Sequence, residues 1–143
     1  MNNEKKIFIK NYLQKAEDTL VDAEINIDND RLSNAQNRIY YAIFYSVVAL
    51  GYSYNFVSSK HKQLMGWFNK EFIHNNKIFD PSLFEIYKLA YNNRMLADYT
   101  VLSSATKTDI LESFNKAKHF VNEISQHINQ ILSSKPTNEN NNN

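Results

Sequence analysis

The stretch Pro81–Tyr99, PSLFEIYKLAYNNRMLADY, decides how the rest of the chain is read. Wound at about 3.6 residues per turn, one face of it collects Leu83, Ile86, Tyr87, Ala90, Arg94 and Ala97. Recurrence every three or four positions marks a helix with one side turned to a core. An arginine stands in that stripe where a leucine would be expected, and a guanidinium enters a core only with a partner. It marks a buried ion pair, a subunit interface or an active site. Asp98 lies one turn beyond Arg94, within reach of its head group, and Tyr87 and Tyr91 flank the same side.

The surroundings of that helix are helical as well. The 143 residues contain only two Gly and two Pro, and both prolines, Pro81 and Pro136, sit where helices would begin or end. An all-β chain needs many more turn residues, so long helices are expected. Hydrophobic residues make up 43% of the chain, enough for one real core. A net charge of +1 is too balanced for a protein that coats duplex nucleic acid, but leaves room for a small cationic site that meets RNA locally. There is no cysteine, which excludes disulfides and thiol chemistry and suits a reducing compartment. The N-terminal residues are too densely charged for a signal peptide. The longest apolar run, Ile39 to Leu50, is shorter than the roughly 20 residues of a membrane span. A cytoplasmic protein that does not enter the membrane is expected.

In chain order, a first helix is predicted over Glu4–Ile27, with Ile9, Leu13, Ala16, Leu20, Ala23 and Ile27 inward. Asp28-Asn29-Asp30 then forms a polar turn. The acidic residues between Glu17 and Asp30 read as a solvated face, since no glycine or closing glutamate stands where a calcium loop needs one. A second helix, Ser33–Tyr52, is capped by Ser33 or Asn34 and is apolar nearly all the way round past Arg38, as for a helix enclosed by neighbours. One strip of it joins Arg38 to Tyr41, Tyr45 and Tyr52, and Gly51 opens its exit loop. A shorter third helix, His61–Asn75, capped by Ser58 or Ser59, turns Leu64, Trp67, Phe68 and Phe72 inward. Asp80 caps the helix that starts at Pro81, a preferred first residue. The last helix opens at Thr106 or Thr108. Thr106 and Asp109 have the spacing of a capping box, and Ile110, Phe114, Ala117, Val121, Ile124, Ile128 and Ile131 form a heptad seam. Past Leu132 the Asn-rich tail, 133–143, is expected to be disordered. The expected fold is therefore all-α: one domain over 1–132, an antiparallel bundle of four long helices plus the shorter third.

Common catalytic motifs are missing: there is no glycine-rich phosphate loop, GxSxG elbow or HExxH. His61, His74, His119 and His127 are scattered without metal-ligand spacing, so neither a metal site nor a cofactor is expected. His119 and His127 read as outer-face residues of the last helix. For Arg38, the expectation is an aliphatic stem laid on tyrosine rings with its head toward water or a partner.

Three stretches carry a family resemblance. Asn37–Tyr45, NRIYYAIFY, continuing to Ala49-Leu50, resembles the R-x-Y-Y-A-x-F helix of HEPN domains. Ser59-Lys60-His61-Lys62 leading into Phe68 and Phe72 is similar to the segment that follows it. Arg94–Tyr99, RMLADY, before a Thr-capped last helix, resembles small stand-alone bacterial and archaeal HEPN proteins whose fourth helix ends in R-x-x-A-D-Y. The likeness spans about residues 5 to 130. It implies a bundle that pairs symmetrically, with the fourth helix facing a two-fold cleft. Many such proteins are metal-independent ribonucleases of toxin–antitoxin or other defence systems. Others bind nucleotides or accompany a nucleotidyltransferase encoded alongside. The implied partners are thus a second copy of the chain, single-stranded RNA or a nucleotide, and a cognate antitoxin or nucleotidyltransferase.

In catalytic members an Arg is followed, after four to six residues, by a His. The Arg would stabilise phosphate charge, and the His would activate the ribose 2′-hydroxyl. Arg94 matches, but the His positions are occupied by Tyr99, Thr100 and Val101. Tyr99 is a poor base, with a phenol pKa near 10, and lies about 140° round an ideal helix from Arg94. The candidate catalytic residues are accordingly Arg94, Asp98 and Tyr99, and the candidate ligand-binding residues Arg38, Tyr41 and His61. His61, from elsewhere in the fold, is a possible replacement for the missing His. The competing reading is a non-catalytic helical dimerisation module in which Arg94 and Asp98 form a structural pair.

Overall fold

Amphipathic stripes at helical spacing leave each helix one way to bury its apolar side, against other helices. The computed structural model describes residues 1–99 and 105–134. The helices are α1 (Asn3–Asp28), α2 (Leu32–Ser53), α3 (His61–Phe68), α4 (Pro81–Tyr99) and α5 (Lys107–Ser133), and π-helical turns extend α3 over Asn69–Asn75. Among the described residues there is no strand. The fold is an all-α bundle of four long helices with a short third.

α2 is the axis of the bundle. From Ala42 to Gly51 all its residues but Tyr45 are buried, as its nearly continuous apolar sequence requires. α1 runs antiparallel to it: Tyr12 near the start of α1 stacks beside Tyr52 near the end of α2, at 6.1 Å between ring centroids. α5 closes the other side through Ile110, Phe114, Ala117, Phe120, Val121, Ile124 and Ile128, all buried, while Ile131 is half-buried. Phe120, beside the expected seam, is buried as well. The start of α5 is tied to the turn after α1 by an ion pair from Lys107 Nζ to Asp30 Oδ1, 3.0 Å.

Helix ends follow local chemistry where a short polar side chain is placed to accept a backbone N–H. Asp80 Oδ1 accepts from the Ser82 N–H at 2.8 Å, starting α4 at Pro81. That hydrogen bond, and next one from the Ser82 side chain, hold the Asp80 carboxyl below its ordinary pKa. Thr106 and Asp109 form the reciprocal capping box of α5, at 3.1 and 3.2 Å. Two other expected caps are corrected. α2 begins before Ser33 and Asn34, at Leu32, with Arg31 in the cap position, so both polar residues lie within the helix. α3 is preceded by Lys60 rather than Ser58 or Ser59; the Ser58 hydroxyl instead accepts from the Lys60 N–H, one step outside the helix.

Gly51 is a further correction: it lies inside the last turn of α2. A side chain there would meet the Phe56 carbonyl oxygen at 2.4 Å. The chain folds back so closely that the Phe56 N–H donates to the Gly51 carbonyl at 2.8 Å. Absence of a Cβ, rather than an unusual backbone angle, is what Gly51 supplies. Of the expected tail, Ser133 and Ser134 are at the end of α5 and residues 135–143 lie outside the described residues, as do Thr100 and Val101.

Candidate functional site

Burial of Arg94 is solved by aromatic rings and one carboxylate. The side chain is 14% exposed, and its guanidinium donates from Nη1 to Asp98 Oδ2 at 3.3 Å along the outer edge of α4. Its carbon centre lies 4.8 Å from the ring centroid of Tyr40, 5.5 Å from Tyr91 and 5.8 Å from Tyr41. A guanidinium is less strongly hydrated than an ammonium and stacks on aromatic faces, so arginine is the cation this pocket accepts. Nε is buried with no hydrogen-bond partner among the described residues. Among the described residues, one long hydrogen bond to Asp98 leaves most of its five donors uncommitted.

Tyr40 connects this cation to a histidine from another helix. Its ring is fully buried, and its hydroxyl forms a 2.6 Å hydrogen bond with His61 Nδ1. The imidazole lies flat on Phe44, 4.3 Å between centroids and 9° between planes, and edge-on to Tyr41. α2 thus supplies Tyr40, Tyr41 and Phe44, α4 supplies Arg94, Asp98 and Tyr91, and the first residue of α3 supplies His61.

The electrostatics follow from that packing. Burial raises the Tyr40 hydroxyl well above its ordinary pKa, opposed in part by Arg94, so the phenol keeps its proton. Burial, and next the positive charge of Arg94, lower His61 below 6.5, so the imidazole is neutral at pH 7. Two arrangements satisfy the pair. If Tyr40 donates to Nδ1, Nε2–H is left as a donor. If Nδ1–H donates to the phenol oxygen, Nε2 presents a lone pair and is a base. Among the described residues, no group of three or more His, Asp or Glu is placed to hold a metal ion.

Of the residues singled out from sequence, Arg94, Asp98, Tyr41 and His61 come together. Arg38 is adjacent, its guanidinium 5.3 Å from the Tyr41 ring centroid and held by two hydrogen bonds to Asn37 Oδ1, at 2.7 and 3.1 Å. Tyr99 stands apart: α4 continues as a helix through it, and its side chain is 77% exposed. Tyr40 and Phe44 are additions. The Tyr40-Tyr41 dyad was a visible signal, but the partner of Tyr40 lies 21 residues away, beyond what periodicity reports.

His127 is a correction to the expected outer face of α5. Its Nε2 is 2.7 Å from the Tyr54 hydroxyl, and its ring stands edge-on to Phe72 and Phe79. Burial lowers its pKa and raises that of Tyr54. His119 does face outward, 3.9 Å from Glu123. A separate apolar cleft between α2, α4 and α5, lined by Gln36, Ile39, Ile86, Leu89, Asn93 and Ser113, contains none of the Arg94 cluster.

Known proteins resemble this chain along most of its length. The family model for the HEPN domain matches residues 9–128. A UPF0332 protein of Thermotoga maritima is 33% identical over 129 residues, 90% of this chain and 97% of that protein. Two proteins of Methanocaldococcus jannaschii that carry the name "Putative toxin" are 32% identical over 120 residues and 31% identical over 124. These alignments cover 84% and 87% of this chain, and 81% and 91% of the two proteins.

Proposed function

The chain belongs to the HEPN domain family, and from that premise we propose that it is the toxin-type member of a toxin–antitoxin or nucleotidyltransferase-linked pair, acting on RNA in the cytoplasm. The observation that carries the reading is the Tyr40 bridge: its hydroxyl holds His61 while its ring lies under the guanidinium of Arg94. A phosphate-binding cation and a neutral imidazole therefore share one wall, although the helix that carries Arg94 has no histidine at the usual distance.

In the proposed reaction Arg94 binds a phosphodiester through its uncommitted donors and stabilises the charge that builds on the non-bridging oxygens. His61, in the arrangement that donates Nδ1–H to the Tyr40 oxygen, takes at Nε2 the proton of the neighbouring ribose 2′-hydroxyl, whose oxygen forms a bond to phosphorus. The bond from phosphorus to the 5′ oxygen breaks with its electron pair, and that oxygen takes up a proton from solvent water. One product ends in a 2′,3′-cyclic phosphate and the other in a 5′-hydroxyl, with no metal needed. Asp98 orients Arg94, Tyr40 orients His61, and Arg38 and Tyr41 border the bound strand. A second copy of the chain packs α4 against α4 about a two-fold axis, bringing the two exposed Tyr99 side chains toward the cleft. A cognate antitoxin or nucleotidyltransferase restrains the activity. The names of the two archaeal relatives support the toxin reading.

The test is cleavage of single-stranded RNA in the presence of a chelator. Wild-type protein is expected to give cyclic-phosphate ends, and Arg94→Ala to lose about 10²- to 10³-fold in rate while keeping its helical spectrum and dimeric size. Equal inertness of wild type and variant overturns the catalytic reading. A variant that dissociates the dimer or melts much earlier favours the structural ion pair, and a wild-type monomer at micromolar concentration removes the shared cleft.

A further inference from the structure

The site lies at one end of a line of aromatic rings that continues past Tyr41, beyond the residues its chemistry uses. From Tyr41, where Arg94 stacks, the line passes to Tyr45 at 5.8 Å between centroids, Tyr12 at 6.2 Å, Tyr52 at 6.1 Å and Phe8 at 4.5 Å from Tyr52. It follows the seam between α1 and α2. Other aromatic residues of this chain are packed away completely, Tyr40, Tyr87, Phe68 and Phe120 among them. Along this seam the four tyrosines are only half-buried and Phe8 is 41% exposed.

Cations are interleaved with the rings. Lys15 Nζ stands 4.4 Å from the centroid of Tyr45 and 5.9 Å from that of Tyr12, and Arg38 borders Tyr41. Among the described residues neither Lys15 nor Arg38 has a carboxylate within ion-pair distance. At the far end Lys5 reaches Asn55, and the two residues help line a shallow cleft of about 340 Å³ with Asn2, Glu4, Phe8 and Tyr52. Glu4 is the one carboxylate lining that cleft.

We propose that this seam is a track for an unpaired RNA strand, which leads from the α1 N-terminus to Arg94 and feeds the scissile phosphate into the site. Rings accept any base on their faces, while spaced, unpaired cations follow the phosphates. A protein partner would need an acidic, aromatic-tolerant strip to match the same charges; a single strand presents that combination at every nucleotide. The track deepens the reading of the Arg94 site as an RNA site, and it makes binding length-dependent and insensitive to sequence. Its reach is that of a short single-strand site, at the lower end of the roughly 4–16 nucleotides such surfaces cover.

The test uses a fluorescent oligouridine with every 2′-hydroxyl methylated, so that cleavage chemistry is silent, read by anisotropy as a hexanucleotide, a dinucleotide and a duplex. Wild type is expected to bind the hexanucleotide more tightly than the other two. Tyr45→Leu and Tyr52→Leu should each weaken the hexanucleotide about five- to hundredfold and leave the dinucleotide unchanged. Lys15→Gln, an exposed change that spares packing, should make the salt dependence of hexanucleotide binding shallower by about 0.7 in log–log slope. Affinity that does not rise with length, or variants that weaken both lengths equally, overturns the track, and the former is also the result if the seam seats a protein. Arg94→Ala separates the two proposals. If it leaves all binding intact while the tyrosine variants weaken the hexanucleotide, the track stands and the Arg94 site falls.

Discussion

Two tyrosine–histidine pairs stand among the described residues, alike in hydrogen-bond length but joined through different ring nitrogens, Nδ1 of His61 to a buried Tyr40 and Nε2 of His127 to an exposed Tyr54. Tyr40 and His61 are 2.6 Å apart, Tyr54 and His127 2.7 Å. In both, burial depresses the imidazole and raises the phenol. The first lies beside the guanidinium of Arg94, while the second rests on Phe72 and Phe79. A neutral imidazole held by a phenol is thus a packing device by default. In the proposed function, the neighbouring guanidinium of Arg94 is what sets the first pair apart from the second.

The largest expected separation between the pairs is in activity. His61→Asn should lower RNA cleavage about 10²- to 10⁴-fold, the usual worth of a positioned proton acceptor. His127→Asn should leave the rate within about twofold and cost on the order of 1 kcal/mol in urea unfolding, the worth of one hydrogen bond. Equal rates for the two variants would erase the distinction.

That distinction was half legible from sequence. The start of α4 at Asp80-Pro81, the cap of α5 at Thr106 and Asp109, and the pairing of Arg94 with Asp98 are all decided within four residues of chain, and all could be read. Both histidine contacts span long separations, 21 residues for Tyr40–His61 and 73 for Tyr54–His127. Periodicity carries no information on such contacts, so it leaves His61 as a possible replacement and turns His127 to the outer face of α5, where the structure instead packs it against Phe72 and Phe79. The π-helical turns over Asn69–Asn75 are likewise not signalled by the apolar spacing, which there reads as ordinary helix. Ser33, Asn34, Ser58 and Ser59 misled because a good capping residue near a boundary does not fix which residue the chain uses.

A smaller effect probes the support of the second pair. Gly51→Ala places a methyl against the Phe56 carbonyl and displaces the turn that carries Tyr54. A loss of about 1–3 kcal/mol in urea denaturation is expected, with cleavage per folded molecule retained. A proportional loss of specific activity would show that the two ends of the molecule are coupled.

The smallest effect concerns pH. Both imidazoles titrate below their ordinary 6.5 in the folded chain, so between that value and the lowered one the unfolded chain binds more protons. Their stabilising contribution is complete above about pH 6.5 and is lost as the pH falls through the native values. Proton NMR should find both low, and Arg94→Leu should move His61 back upward while His127 stays put. Movement of both would mean the guanidinium does not distinguish them.

The π-helical turns at Asn69–Asn75 carry a consequence for how this chain can change in length. A π turn contains one more residue than an α turn, so a single deletion between Phe68 and Asn76 can be absorbed by a return to ordinary winding. His61, upstream, would keep its place on Phe44. The same deletion within α2 or α4 would turn everything beyond it by about 100°, carrying Tyr40 or Arg94 out of register with its neighbours. The chain's tolerance for lost residues therefore lies next to the helix that delivers its histidine, and not in the helices that hold the rest of the cluster.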